Sequence, residues 1–333
     1  MKNPFYDLRV KIHESAERRR ANRPPKAELP IGKARVIARQ CTVMKKHLFI
    51  WTMLIIPILS WLVFWFYTNF NMILMAFQTP QGDWTVSNFQ AFWANVTTPG
   101  DELLISIRNT LLYFAVNVVI ILPVGTLIAY FIYKKIFGYK FFRVAIFLPA
   151  IIPSMVLVTV FSEMLRPSGP FDQLGWTALV GLLDDPVRAD VTATPTVMFY
   201  CVWTGFSSIM LLMSGSMARI PVEVLEAAKL DGCGPFREFR SLVVPLILPT
   251  LMTQVIFSLT GLLGASGPIL LMTDGQHKTS TISYYIFIRT LDGRSSMAAY
   301  NLVSATGLVF TAVMFPIILI VKWLSDKIQT VEY

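Results

Sequence analysis

The sequence predicts an all-α integral membrane protein: six transmembrane helices, with a polar helix–turn–helix between the fourth and the fifth. Three observations carry that expectation. Hydrophobic residues make up 54% of the chain and charged residues only 15%, and soluble domains need about 25% charged residues to cover their surface. Six apolar runs are each long enough to cross a bilayer, which takes about 20 residues at ~1.5 Å rise over ~30 Å of hydrocarbon. Lys and Arg alternate between the runs in the manner that sets topology.

The runs extend approximately from Leu48 to Phe70, Leu104 to Tyr133, Phe141 to Leu165, Thr196 to Met217, Thr250 to Met272 and Ala298 to Trp323. The first stays apolar to Phe77 and so predicts a longer or tilted helix. Before it lies a basic tail (1–47) that holds 13 of the 29 Lys and Arg, with Arg18, Arg19, Arg20 and Arg23 in one cluster. Phe5, Leu8 and Ile12 recur there at helical spacing, which reads equally as an amphipathic helix on anionic lipid or as a disordered basic tail. No cleavable signal is expected, because the first apolar run is too long for one. An outer loop completes the region 48–103, a core follows over 104–323, and 324–333 forms a second tail.

Loop charge orients the spans. Lys134, Lys135, Lys140 and Arg143 follow the second run without an acid, and Arg219, Lys229, Arg237 and Arg240 follow the fourth. Residues 79–102 carry Asp83, Asp101 and Glu102 and neither Lys nor Arg, while 166–193 set four Asp against Arg166 and Arg188. Both termini and the stretch 219–249 are therefore expected in the cytoplasm. The net charge of +9 belongs to this pattern, and no nucleic-acid partner is expected.

Several chemistries find no residues here. Cys41, Cys201 and Cys233 are far apart, without metal-ligand spacing. Gly32-Lys33 precedes Ala34 and lacks the context of a phosphate-binding loop. No nucleophile–base–acid set is visible, so catalytic residues, metal and bound ATP are not expected in this chain. A secondary transporter would need an intramembrane ion site, and the one candidate, Glu163, has Arg166 at helical spacing for a partner.

The stretch 219–249 is patterned. Pro221 suits a helix start, Val222 to Leu230 are helix formers, and Asp231-Gly232 is a turn signal. Pro235 can open a second helix in which Phe236, Phe239 and Val243 share a face, and Pro245 and Pro249 are expected to end or bend it. From the residues alone, that face either fills a partner's groove or packs on its own bundle.

The spacing Glu226-Ala227-Ala228, Gly232, Leu242, Val244, Pro245 resembles the signature of the membrane-spanning subunits of binding-protein-dependent ABC importers. Further likeness runs from about Leu103 to Trp323. Phe147-Leu148-Pro149 with Ile152-Pro153, Leu271 to Gly275 and Thr279 to Tyr285 resemble segments of the carbohydrate-uptake branch, as in the larger membrane subunits of maltose-type transporters. Cys233 departs from the usual Ala, Leu242 and Val244 from Ile and Leu, and Gln276-His277 from Gly-Pro.

The resemblance implies a type I importer permease fold in a bacterial or archaeal plasma membrane. It implies a second homologous permease subunit, two ATPase subunits that bind ATP and Mg, an extracytoplasmic solute-binding protein, and a sugar or another small polar solute as cargo. It assigns Glu226, Ala227, Ala228, Asp231, Gly232, Phe236, Phe239 and Pro245 to ATPase coupling. Sugars are held by aromatic faces and neutral hydrogen-bonding groups. Trp203, Phe206, Ser207, Thr260, Gly264, Ser266 and Asn301 are therefore the path candidates, with packing as the competing reading for each. Gly261 to Pro268 is expected to interrupt the fifth helix.

Overall fold

A computed structural model describes residues 49–264, 268–292 and 296–327. The basic tail with Phe5, Leu8 and Ile12, and Cys41, Ser266 and Arg294, lie outside the described residues. The described chain is helical, with a single isolated bridge between Gln78 and Trp84. Five helices are long and apolar enough to cross a membrane, and a bent pair raises the number to six.

Helix α1, Phe49–Ala76, is 28 residues long. It extends past Phe70 as the apolar run to Phe77 foretells. Its described residues up to Asn69 form a unit by themselves, and apolar side chains are exposed on all its faces, a pattern suited to lipid rather than water. Trp61 and Trp65 stack there at 5.2 Å between ring centroids.

In the second unit, Phe70–Tyr333, a helix not expected from the sequence opens the outer loop. Helix α2, Ser87–Thr97, buries Phe92 edge-on against Phe310 at 5.8 Å. Helix α3, Glu102–Tyr133, starts at Asp101, whose carboxylate accepts the Leu103 N–H at 2.8 Å. The third apolar run is two helices rather than one: α4, Tyr139–Ile151, and α5, Ser154–Leu165, with a bend of 102° between α4 and the stretch Ser154–Gln173. Pro153 is the cause, since it drives the preceding Ile152 to extended backbone (φ −75°, ψ 134°). The anticipated pair Glu163–Arg166 forms at 2.7 Å.

Helix α6, Ala189–Met217, begins before Thr196 because it absorbs Pro195 early in its length. Helix α7, Val222–Leu230, is followed by the turn, and helix α8 runs from Pro235 to Thr260. This corrects one expectation: the fifth long apolar helix is Pro235–Thr260, not Thr250–Met272. Of the two outcomes expected at Pro245 and Pro249, an end or a bend, the helix does not end there. The physical reason is a π turn over Phe239–Val243, which widens the hydrogen-bond register just before Pro245. The expected interruption is present: α8 stops at Thr260, a 3₁₀ turn covers Leu262–Gly264, and a short helix covers Ile269–Met272. Helix α9, Ile282–Asp292, and helix α10, Met297–Lys327, complete the described chain.

The main core joins α3, α6, α7 and α8 through Tyr130, Ile209, Met213, Met217, Leu225 and Val243. Helices α3 and α6 approach closely at two glycines. A Cβ on Gly125 would stand 2.8 Å from Ile209 Cγ2, and one on Gly205 would stand 3.0 Å from Ile121 Cδ1. Small residues opposite β-branched ones hold membrane helices together by close van der Waals packing. The loop 273–281 is pinned to the start of α6, where Asp190 meets Lys278 Nζ at 2.8 Å and His277 Nδ1 at 3.3 Å.

Candidate functional site

Two places concentrate the candidate residues. The first is the helix–turn–helix of α7 and the start of α8. Helix α7 ends in a left-handed Gly232 (φ +72°). Cys233 N–H reaches back to Ala228 O at 2.9 Å, and Gly232 N–H to Lys229 O at 3.0 Å, which closes the helix end as glycine caps do. Leu225 and Ala228 turn inward. Glu226, Ala227 and Asp231 are exposed, and Val222, Leu230 and Phe236 form an exposed apolar rim at 60%, 90% and 73%.

The face expected to carry Phe236, Phe239 and Val243 together is divided. Val243 is fully buried, and Phe239 is half-buried with its ring 5.0 Å from that of Tyr130. Only Phe236 of the three points outward. The reason is a contact that the local sequence cannot foresee. Lys134 Nζ lies 2.5 Å from Glu238 Oε1 and donates to Oε2 at 2.8 Å, and the Tyr130 hydroxyl donates to Pro235 O at 2.9 Å. These bonds draw the first turn of α8 onto the end of α3. Pro245 lies further along, exposed.

The second place is a pair of hollows on either side of Cys201. One, of about 190 Å³, is lined by Thr110, Tyr113 and Asn117 of α3, Gly205 of α6, Ser258 of α8, and Ile269 and Thr281. Ser258 Oγ donates to Asn117 Oδ1 at 3.0 Å. The buried Tyr113 hydroxyl has no hydrogen-bond partner among the described residues. The other, of about 420 Å³, is lined by Pro149, Ser154, Leu157, Tyr200, Thr204, Pro268 and Leu271. An aromatic group stands beside it, with Tyr200 5.2 Å from Phe161 and 6.1 Å from Trp203. Neither hollow is lined by a charged side chain.

The path candidates distribute unevenly around these hollows. Trp203 belongs to the aromatic group and is 39% exposed. Thr260 is exposed at the end of α8, bonded to Phe257 O at 3.0 Å, and Gly264 faces open space. Three candidates are occupied by packing. Phe206 packs into the main core. Ser207 is fully buried and donates to Ile146 O at 2.5 Å, in the turn that Pro149 disturbs. Asn301 is buried and donates to Gln78 O at 2.7 Å. Sequence reasoning missed Tyr113, Asn117, Tyr200, Thr204 and Ser258. Tyr113 and Asn117 stand four residues apart in an apolar run, a spacing that marks one helix face.

Residues 121–330 match the family described as binding-protein-dependent transport system inner membrane component. A multiple sugar-binding transport system permease protein of Streptococcus mutans is 26% identical over 290 residues, which are 84% of this chain and 94% of its own. The maltose/maltodextrin transport system permease protein of Klebsiella aerogenes is 26% identical over 150 residues, 45% of this chain but only 29% of that protein. The fold is that of a chain in the crystal structure of a bacterial alginate ABC transporter in complex with alginate pentasaccharide-bound periplasmic protein. The TM-score is 0.72 at 23% identity, over 87% of this chain and 98% of the other.

Proposed function

Because the chain belongs to the family of binding-protein-dependent transport system inner membrane components, we propose that it is a permease subunit of an ATP-driven importer for a sugar or oligosaccharide. In this reading a second homologous permease completes the translocation path. An extracytoplasmic binding protein delivers the solute, and two ATPase subunits bind ATP and Mg. The chain itself performs no catalysis. Both termini and the α7–α8 turn face the cytoplasm of a bacterium or archaeon.

The observation that carries the reading is the shape of that turn. A polar loop with no partner would bury its apolar side chains. Here Leu230 and Phe236 stand out from it beside Glu226 and Asp231, an apolar patch with a charged rim, as docking surfaces have. Glu226 and Asp231 supply charged contacts, Gly232 the turn, Leu230 and Phe236 the anchors, and Ala227 a small exposed surface for close approach. Ala228, Phe239 and Pro245 position the loop from behind.

The cargo assignment rests on the hollows. Their lining offers hydroxyls, an amide and aromatic faces without charge. That chemistry suits an uncharged polyol and would bind an ionised solute poorly. Tyr113, Asn117, Ser258, Thr204, Tyr200 and Trp203 are the proposed contacts, and Thr260 and Gly264 line the route at the end of α8.

Co-purification tests the class: recovery with a second permease and two ATPase subunits is expected, and a chain that transports alone would refute it. A ligand screen on the cognate binding protein identifies the sugar.

A further inference from the structure

Lys134 and Glu238 differ from the other charged contacts of the protein. Glu238 is 3% exposed, and every other ion pair among the described residues leaves both side chains more than a fifth exposed. A buried ion pair is a poor device for stability, since its desolvation cost cancels most of its attraction and an apolar pair of like volume does as well. What such a pair does provide is a fixed mutual position, because an unpaired buried carboxylate is strongly disfavoured.

The position it fixes is specific. Three contacts bind the first turn of α8 to the last turn of α3: the ion pair, the bond from Tyr130 to Pro235 O at 2.9 Å, and the Tyr130–Phe239 ring contact at 5.0 Å. Two mechanical routes then leave the α7–α8 turn. Along α8 the route passes the π turn Phe239–Val243, then Pro245 and Pro249, all of which loosen a helix. Along α3 it follows Leu122–Tyr133, with Pro123 only at its far end, past the close crossing with α6 at Gly125, to Ile121 on the cavity wall, the nearer end of α3's own π turn Asn117–Ile121. That distance is about 18 Å of helix, and it meets the cavity wall before crossing the π turn, whereas the α8 route meets its π turn within its first two turns.

We propose that Lys134 and Glu238 are positioning residues that make the start of α8 and the end of α3 move as one body. A displacement of the α7–α8 turn then reaches the cavity through α3 instead of being absorbed at the π turn. This rests on the reading of the turn as an ATPase seat.

The test uses the complex purified with its own ATPase subunits, with serine at the native cysteines and spin labels at Phe131→Cys and Arg237→Cys. Distance distributions are compared without nucleotide and after trapping with ATP, Mg and vanadate. The parent chain is expected to give one narrow distance that is the same in both states. Glu238→Gln and Lys134→Met raise the unclamped-to-clamped ratio about a hundredfold, which appears as a second component on trapping. The exchange Lys134→Glu with Glu238→Lys restores the single distance. Tyr130→Phe, which removes one hydrogen bond, raises the ratio by about tenfold or less, and with the exchange it carries the test should a single charge variant not assemble. A single unchanged distance in all variants overturns the proposal, as does an exchange variant that remains split, or a parent distance that shifts on trapping. Absence of ATPase subunits from the purified parent complex would instead overturn the reading of the turn as their seat.

Discussion

Gly275 and Gly232 share a backbone conformation and differ in what lies beside it, which makes them a matched pair of substitutions. Their φ angles are +70° and +72°, so alanine at either position carries the left-handed penalty of about 1–2 kcal/mol. At Gly232 no heavy atom lies within 4 Å of the new Cβ; at Gly275 the Cβ would fall 2.2 Å from Tyr284 Cε1 and 2.8 Å from Cζ. Tyr284 cannot swing away cheaply. It is 4% exposed, packed with Leu165, Val197 and Ile269, and its hydroxyl is held by Asp274 Oδ1 at 2.9 Å. Overpacking of this kind adds about 1–3 kcal/mol. Gly232→Ala should therefore cost about 1–2 kcal/mol and Gly275→Ala about 2–5 kcal/mol. In the Tyr284→Ala background the overpacking disappears and only the backbone part remains, so the double variant should be more stable than additivity predicts by about 1–3 kcal/mol. Denaturant titration of the parent and these four variants in mixed micelles reads these differences. Equal losses at the two glycines, or strict additivity with Tyr284→Ala, would refute the reasoning.

Three further outcomes follow from the same geometry. Glu226→Lys reverses an exposed charge and should leave insertion and abundance intact while abolishing uptake; transport-coupled ATPase activity at the parent level would remove Glu226 from the docking surface. Asn301→Ala removes one of two donors to the Gln78 carbonyl, which keeps Asn88 Nδ2 at 2.9 Å, and should cost about 0.5–1.5 kcal/mol in unfolding, with the solute concentration for half-maximal uptake unchanged. Tyr113→Phe removes a buried hydroxyl that has no partner among the described residues. It should raise stability by about 1 kcal/mol and lower uptake several-fold, and uptake at the parent rate would take Tyr113 off the path.

How much of this was legible in the sequence depends on how local the cause is. The turn at Gly232 and the first, second, fourth and sixth apolar runs are local, and each is found as a helix or turn that covers the residues expected, while the third run bends and the fifth is shifted. The α2 helix was missed although Phe89, Phe92, Trp93 and Val96 have helical spacing, because Asn88, Gln90 and Asn95 make the segment read as a polar loop. Its partner, Phe310, lies more than two hundred residues away. Phe236 and Phe239 look equivalent from spacing, and Tyr130, from a different helix, separates them. Ser207 and Asn301 look available until Ile146 O and Gln78 O are found to accept from them. Polar residues in apolar helices announce that they will have a partner, but which partner is a property of the packed bundle.

The misplaced fifth span has a cause that occurs twice. In α3 the π turn Asn117–Ile121 precedes Leu122-Pro123, and in α8 the π turn Phe239–Val243 precedes Val244-Pro245. In both, the residue after the π turn donates its N–H five residues back, Leu122 to Asn117 O and Val244 to Phe239 O. A proline inside a helix has no N–H to give, and its ring collides with the carbonyl four residues earlier. Widening the register one turn before the proline relieves that collision without ending the helix. The adjustment also rotates everything upstream, since one residue of an α-helix is about 100° of turn. Without the π turn the first turn of α8 would leave the end of α3, and Glu238 would lose Lys134. Pro245 thus acts on the ion pair seven residues before it, and a proline that reads in sequence as a helix breaker sets the angle at which the α7–α8 turn is presented.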